Sequence, residues 1–133
     1  MILVVCVDER DGMLFGARRQ SRDRKVTERI LKLAEGRPLH LSDYSLPLFE
    51  GAEGLCPSEN PAEAAGKGEV CFIENTPLPA KGIERLHLIC WNRHYPATRR
   101  FDRSAYSLTL AEELEYAGYS HEAITEQIYE VKE

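Results

Sequence analysis

Apolar residues along this chain fall in short runs separated by turn-forming residues, and the runs differ in period. Ile2 to Val7 is continuous and valine-rich, which predicts a strand buried on both faces and therefore central in a sheet. From Asp8 to Gln20 the glycines at 12 and 16 interrupt any apolar period, so a long surface loop is expected, of a length often reserved for function. Ser21 is placed to cap a helix whose Val26, Ile30, Leu33 and Ala34 share one stripe, with Gly36 and Pro38 as its stop.

The second half reads mostly as strands. Pro38 to Leu41 is a short candidate, followed by a turn or cap at Ser42, Asp43, Tyr44 and Ser45. Gly51 to Asn60 is expected to be irregular, and Pro61 to Ala65 to make one or two helical turns. Val70 to Ile73 is a second buried strand. Two prolines between Asn75 and Gly82 exclude a continuous helix. Arg85 to Trp91 puts Leu86, Leu88 and Cys90 on one face and His87, Ile89 and Trp91 on the other, as in a strand covered on both sides. A polar, proline-containing stretch to Arg103 leads to strands at Thr109 to Tyr116 and Ala123 to Val131, although Ala123, Ile124, Gln127, Ile128 and Val131 also suit a helical stripe.

Length and composition bound this picture without changing it. A chain of 133 residues with 43% hydrophobic and 29% charged residues is expected to fold as one domain, 1–133, around one core. Met1 to Val7 is too short for a signal peptide or membrane span. Cys6, Cys56, Cys71 and Cys90 are widely spaced, three of them within apolar runs, which suits free thiols in a reducing cytoplasm. The net charge of −5 argues against coating nucleic acid through bulk charge.

Charge distribution is more informative than net charge. Nine of the seventeen Lys and Arg residues occupy two windows, Arg18, Arg19, Arg22, Arg24 and Lys25, then Arg93, Arg99, Arg100 and Arg103. This asymmetry is the best functional clue from composition; one reading is a set of solvated arginines paired with acids such as Asp23, Glu28 and Asp102. Trp91, Asn92, Arg93, His94 and Tyr95 mix aromatic, amide and basic groups suited to base stacking and phosphate contact, or to local packing. His40, His87, His94 and His121 lack metal-ligand spacing, and Cys56 has no evident base, so no metal site is expected.

The order of these elements resembles dihydrofolate reductase along nearly the whole chain. Val7-Asp8 and Gly12-Met13 look like the end of that family's first strand and the start of its mobile loop. Gly36-Arg37-Pro38-Leu39-His40-Leu41 is similar to the turn and strand after its first long helix. Glu69-Val70-Cys71-Phe72-Ile73 looks like the strand leading into its Gly-Gly cofactor turn, and Arg85 to Asp102 like the next strand and loop. The resemblance implies an α/β fold with a central mixed sheet and few flanking helices. Small bacterial proteins that it resembles are sometimes labelled ribonuclease Z, but the chain has no His-x-His-x-Asp-His motif to support that chemistry.

Departures from the family pattern gather where it binds its nicotinamide cofactor. Glu74-Asn75 replaces the Gly-Gly pair, adding side chains and a charge where the cofactor would approach backbone. Asp43 and Ser45 stand where the family has an Arg and a Thr for the phosphates, and an acid opposes anion binding. Leu46 to Glu69 is too short for the elements that hold the adenosine half, and Ala17-Arg18 replaces a Pro-Trp pair. The family's acidic residue corresponds to Asp23, or a one-residue shift puts Arg24 there.

The resulting expectation is a diverged member of this fold without normal NADPH binding. It would use Arg18, Arg19, Arg22, Trp91, Arg93, Arg99 and Arg100 for an anionic small molecule or partner, with Asp23 as the candidate catalytic acid. A working NADPH-dependent reductase and an RNA-binding or RNA-processing protein are the alternatives.

Overall fold

The computed structural model describes residues 1–133. Its strands are β1 (Ile2–Val7), β2 (Gly12–Phe15), β3 (Arg18–Arg19), β4 (Leu39–Leu41), β5 (Leu55–Pro57), β6 (Val70–Phe72), β7 (Arg85–Cys90), β8 (Arg99–Arg100), β9 (Ser107–Tyr116) and β10 (Ile124–Lys132). Two α-helices, α1 (Arg24–Leu33) and α2 (Pro61–Ala64), and two 3-10 turns, Leu46–Phe49 and Arg103–Ala105, complete the chain. Seven strands form one mixed sheet in the order β5-β4-β6-β1-β7-β10-β9, and β3-β2-β8 form a small second sheet.

The five strands from β5 to β7 run parallel, whereas β10 is antiparallel to β7 and β9 to β10. The valine-rich run at β1 is central, as its continuous burial requires: Leu3, Val4, Val5 and Val7 are completely enclosed. Alternation along the strands separates two cores. Leu3, Val5, Leu86, Leu88 and Tyr129 pack on one face; Val4, Phe72, Ile89, Trp91 and Ile124 pack on the other, beneath Val26 and Ile30 of α1. The closing segment is a strand, because Ile124, Glu126 and Ile128 alternate inward while pairing with both β7 and β9. No helix is long and apolar enough to cross a membrane.

Three expectations are corrected. Asp8 to Gln20 is not one open loop: it carries β2 and β3, joined at Gly16 with φ of 59°, a value that glycine adopts without steric cost. The Asp8 carboxylate accepts the Arg10 and Gly12 N–H groups at 2.8 Å and folds the chain into β2, while Met13 and Leu14 enter the core. The irregular stretch after Gly51 contains the edge strand β5, whose terminal Pro57 is tolerated at an edge. Lastly, the cap of α1 is Asp23, accepting from Lys25 N, which frees the Ser21 hydroxyl for another partner.

Candidate functional site

In open α/β sheets ligands bind in the crevice outside the carboxyl ends of the strands, where the chain switches direction across the sheet. Here the chain passes from β1 to β4 and β6 on one side and then crosses to β7 on the other, so the switch lies at β1. The strand ends bring Asp8, Ser42, Glu74 and Trp91 to that crevice, all buried.

One half of the crevice is filled by protein. Arg19, delivered by β3, forms a two-point ion pair with Glu74, Nε to Oε2 at 2.9 Å and NH2 to Oε1 at 3.0 Å. Ser45 donates to the same Oε1 at 2.7 Å, and the Arg19 guanidinium lies 4.5 Å from the Tyr44 ring centre. Hydrogen bonding to Glu74 raises the Arg19 pKa further. Arg99 closes the turn by donating to the Glu74 and Thr76 carbonyls at 3.0 and 2.7 Å.

These contacts decide much about the arginine windows. The two windows flank β2: Arg18 and Arg19 pair beside it on one edge, Arg99 and Arg100 on the other. Their side chains are nevertheless largely engaged within the protein. Arg100 donates to the Arg10 carbonyl, Arg103 pairs with Asp11, and Arg93 reaches the Ser120 carbonyl at 3.5 Å. Asp11 and Glu74 are thus the partners, rather than the Asp23, Glu28 and Asp102 suggested by sequence proximity. Arg18 and Arg22 are exposed. Trp91 is buried and stacks on the His121 ring at 4.8 Å, so its face is already covered.

The other half of the crevice is built around Asp23, whose side chain is completely enclosed. Besides Lys25 N, its carboxylate accepts Tyr119 N at 3.0 Å, Ser120 N at 2.9 Å, Ser120 Oγ at 3.1 Å and His121 Nδ1 at 2.8 Å. Burial alone would raise its pKa, but these donors outweigh burial and hold it well below the usual carboxylate range. An ionised carboxylate can only accept, so His121 carries its proton on Nδ1. Nε2 lies 2.8 Å from the Ser21 hydroxyl and accepts from it whenever the ring carries only that one proton. Sequence spacing gave no hint of this, since 100 residues separate Ser21 from His121.

Two spaces adjoin this group. A surface pocket of about 430 Å³ is lined by Arg22, Arg24, Thr27, Leu48, Tyr119 and Ser120. A small void of about 20 Å³, lined by Ser21, Arg22, Phe72, Glu74 and Trp91, shares Arg22, Asp23, Thr27 and Leu48 with it. A larger cavity of about 650 Å³ lies at the amino ends of β4 and β5, but its polar side chains, Glu35, Arg37 and Glu53, are all exposed. No group of three or more His, Cys, Asp or Glu side chains is arranged to hold a metal ion.

Fold and crevice together define a mixed α/β sheet protein with a crevice at the carboxyl ends of its parallel strands. The fold is that of dihydrofolate reductase. The enzyme from Enterococcus faecalis, solved with NADP(H) and RAB-propyl, matches 99% of this chain and 96% of its own at a TM-score of 0.64 and 8% sequence identity. No family model matches the sequence, and no curated protein matches it.

The residues at the strand ends do not fit a nicotinamide dinucleotide. Glu74 presents a buried carboxylate at the β6 turn, and Arg19, the cation able to offset a phosphate there, is held by that carboxylate in two-point geometry. A pyrophosphate would have to displace a satisfied ion pair and then face Glu74.

Proposed function

We propose that this chain is a single dihydrofolate reductase-fold domain whose ligand site has moved from the cofactor half of the crevice to the pocket beside α1. There it binds an anionic small molecule. The observation that supports this reading most is the contrast among the arginines: Arg19 and Arg99 are engaged in closing the crevice, whereas Arg22 and Arg24 line an open pocket with no carboxylate partner. Arg24 lies 4.9 Å from the Tyr119 ring centre, which holds the guanidinium over the pocket wall. Arg22 forms no hydrogen bond or ion pair through its side chain and keeps its donors for a ligand. Asp23 does not oppose an anion at this point, because its charge is enclosed and balanced by five donors.

Thermal shift measured with phenyl phosphate, NADPH and dihydrofolate tests the reading. A ligand at one hundred times its Kd adds about 2.7 kcal/mol to stability, a readily measured rise in melting temperature. Phenyl phosphate is expected to stabilise the protein, less so as salt increases, and Arg22→Ala with Arg24→Ala is expected to abolish the shift. NADPH oxidation in the presence of dihydrofolate, or an undiminished phenyl phosphate response in the double variant, overturns it.

A further inference from the structure

Ser21, His121 and Asp23 stand in the arrangement that activates a serine hydroxyl for attack on a carbonyl. Ser21 Oγ is 2.8 Å from His121 Nε2, and His121 Nδ1 is 2.8 Å from Asp23 Oδ2. Each member is fixed in a way that serves the relay. Asp23 is enclosed, ionised and oriented by the Tyr119 and Ser120 N–H groups. The His121 ring is 3% exposed and stacked on Trp91, which fixes its plane. Ser21, by contrast, is only half-buried and lines the small void. A hydroxyl needed only to satisfy a buried histidine would not have to face a cavity.

We propose that Ser21 is a nucleophile with His121 as its general base and Asp23 as the group that positions the imidazole and stabilises the imidazolium that forms, and that the reaction is hydrolysis of a short-chain ester. The void beside Ser21, about 20 Å³, holds little more than one water molecule, so it receives only the methyl end of an acetyl group, with the carbonyl at Ser21 Oγ, and excludes longer acyl chains. The adjoining pocket of about 430 Å³ takes the alcohol portion. Its anionic character rests on the proposed role of Arg22 and Arg24; the nucleophile does not depend on it.

The steps balance without any further reagent. Ser21 Oγ bonds to the ester carbonyl carbon as its proton passes to His121 Nε2. The bond to the alcohol oxygen then breaks, and that oxygen takes the proton from Nε2 and leaves as the alcohol. Water attacks the acyl-Ser21 carbonyl, giving its proton to Nε2; the bond to Ser21 Oγ breaks, Oγ recovers the proton, and the carboxylic acid departs. Donors for the developing oxyanion are present at the same rim. The Arg22 guanidinium is unpaired and lines both spaces, and the Arg22 backbone N–H, following the nucleophile in sequence, has no acceptor within the protein.

The test has two arms. A neutral fluorophosphonate is incubated with the full chain and the adduct is mapped by peptide mass spectrometry, which requires no anion site. Stoichiometric labelling of Ser21 is expected, lost in Ser21→Ala, reduced at least a hundredfold in His121→Gln, and slowed at acid pH, where an imidazolium cannot accept the serine proton. Melting curves of each variant confirm that it is folded. Absence of a Ser21 adduct on folded wild-type protein overturns the proposal whatever the variants do. In the second arm, phenyl acetate, phenyl hexanoate and 4-acetoxybenzoate are compared by release of the phenol. Acetate esters are expected to react at least tenfold faster than the hexanoate, which fails if the small void does not receive the acyl group. Preference for 4-acetoxybenzoate over phenyl acetate, abolished by Arg22→Ala with Arg24→Ala, reports on the anionic pocket, because loss of the Arg22 oxyanion donor slows both acetates alike and leaves their ratio unchanged. Labelling without that preference leaves the nucleophile standing and removes the anion reading.

Discussion

The two halves of the crevice use the same kinds of residue to opposite ends. At the β6 turn an arginine and a carboxylate neutralise one another, with Ser45 and the Arg99 guanidinium closing the remaining space. Beside α1 a carboxylate is stabilised instead by hydrogen bonds from backbone N–H groups and a histidine, and Arg22 and Arg24 have no carboxylate partner. A buried charge needs compensation in either case. What differs is the source of that compensation, and the source determines which half keeps chemistry to offer.

The largest effect is expected from breaking the filled half. Glu74→Ala leaves Arg19 without its partner in a site where its side chain is 22% exposed, and Ser45 loses its acceptor. Removing one member of a buried pair costs about 3 kcal/mol or more, so the urea midpoint should fall substantially. An unchanged midpoint would show that the pair fills space without holding the crevice. The same variant sharpens the cofactor question: NADPH binding gained by Glu74→Ala alone would mean that this one side chain, and no wider remodelling, excludes the cofactor.

A smaller effect is expected in the other half, and it carries a pH signature. Asp23 is held ionised in the folded protein well below its ordinary range. Its contribution is therefore fully present above the unfolded value, near pH 4, and is lost as pH falls toward the lower folded value. Glu126 adds to the same limb. Burial raises its pKa, but hydrogen bonds from His87 and Arg29 and the Arg29 charge hold it at about 2. Asp23→Asn keeps the side-chain shape but cannot accept as many donors, and should cost about 2 kcal/mol at neutral pH. It should also flatten the acid limb of stability measured from pH 5 to pH 2. A variant as acid-sensitive as wild type would assign that limb to Glu126 and other carboxylates.

The fold was largely legible in the sequence, whereas the site was legible only in part. Valine density marked β1 as central, and the separate faces of β7 followed from alternation. The strands β2, β3 and β8 escaped notice because their lengths of four, two and two residues give no measurable period, and β8 forms only by pairing with the distant β2. Glu74-Asn75 stood out only against the Gly-Gly pair of the resembled family, and the structure shows at that turn a Glu74 paired with Arg19. Ser21 and His121 carried no such mark. A serine before a helix reads as a cap, and only the side-chain geometry shows Asp23 taking that role through Lys25 N while Ser21 turns to the histidine.

The smallest effect is expected from the arginines outside both halves, and it would separate charge from geometry. Arg18 is exposed with no side-chain partner, and Arg100 is exposed with one bond to the Arg10 carbonyl. Surface changes of this kind usually alter stability by about 0.5 kcal/mol or less, so the Arg18→Ala and Arg100→Ala double variant should melt close to wild type. If anion binding resides in the pocket beside α1, this variant should keep most of its phenyl phosphate response, losing only a salt-sensitive long-range share. A response falling as far as in the Arg22→Ala and Arg24→Ala variant would mean that the whole basic face attracts anions diffusely. The open half of the crevice would then have no claim over any other arginine-bearing surface of the chain.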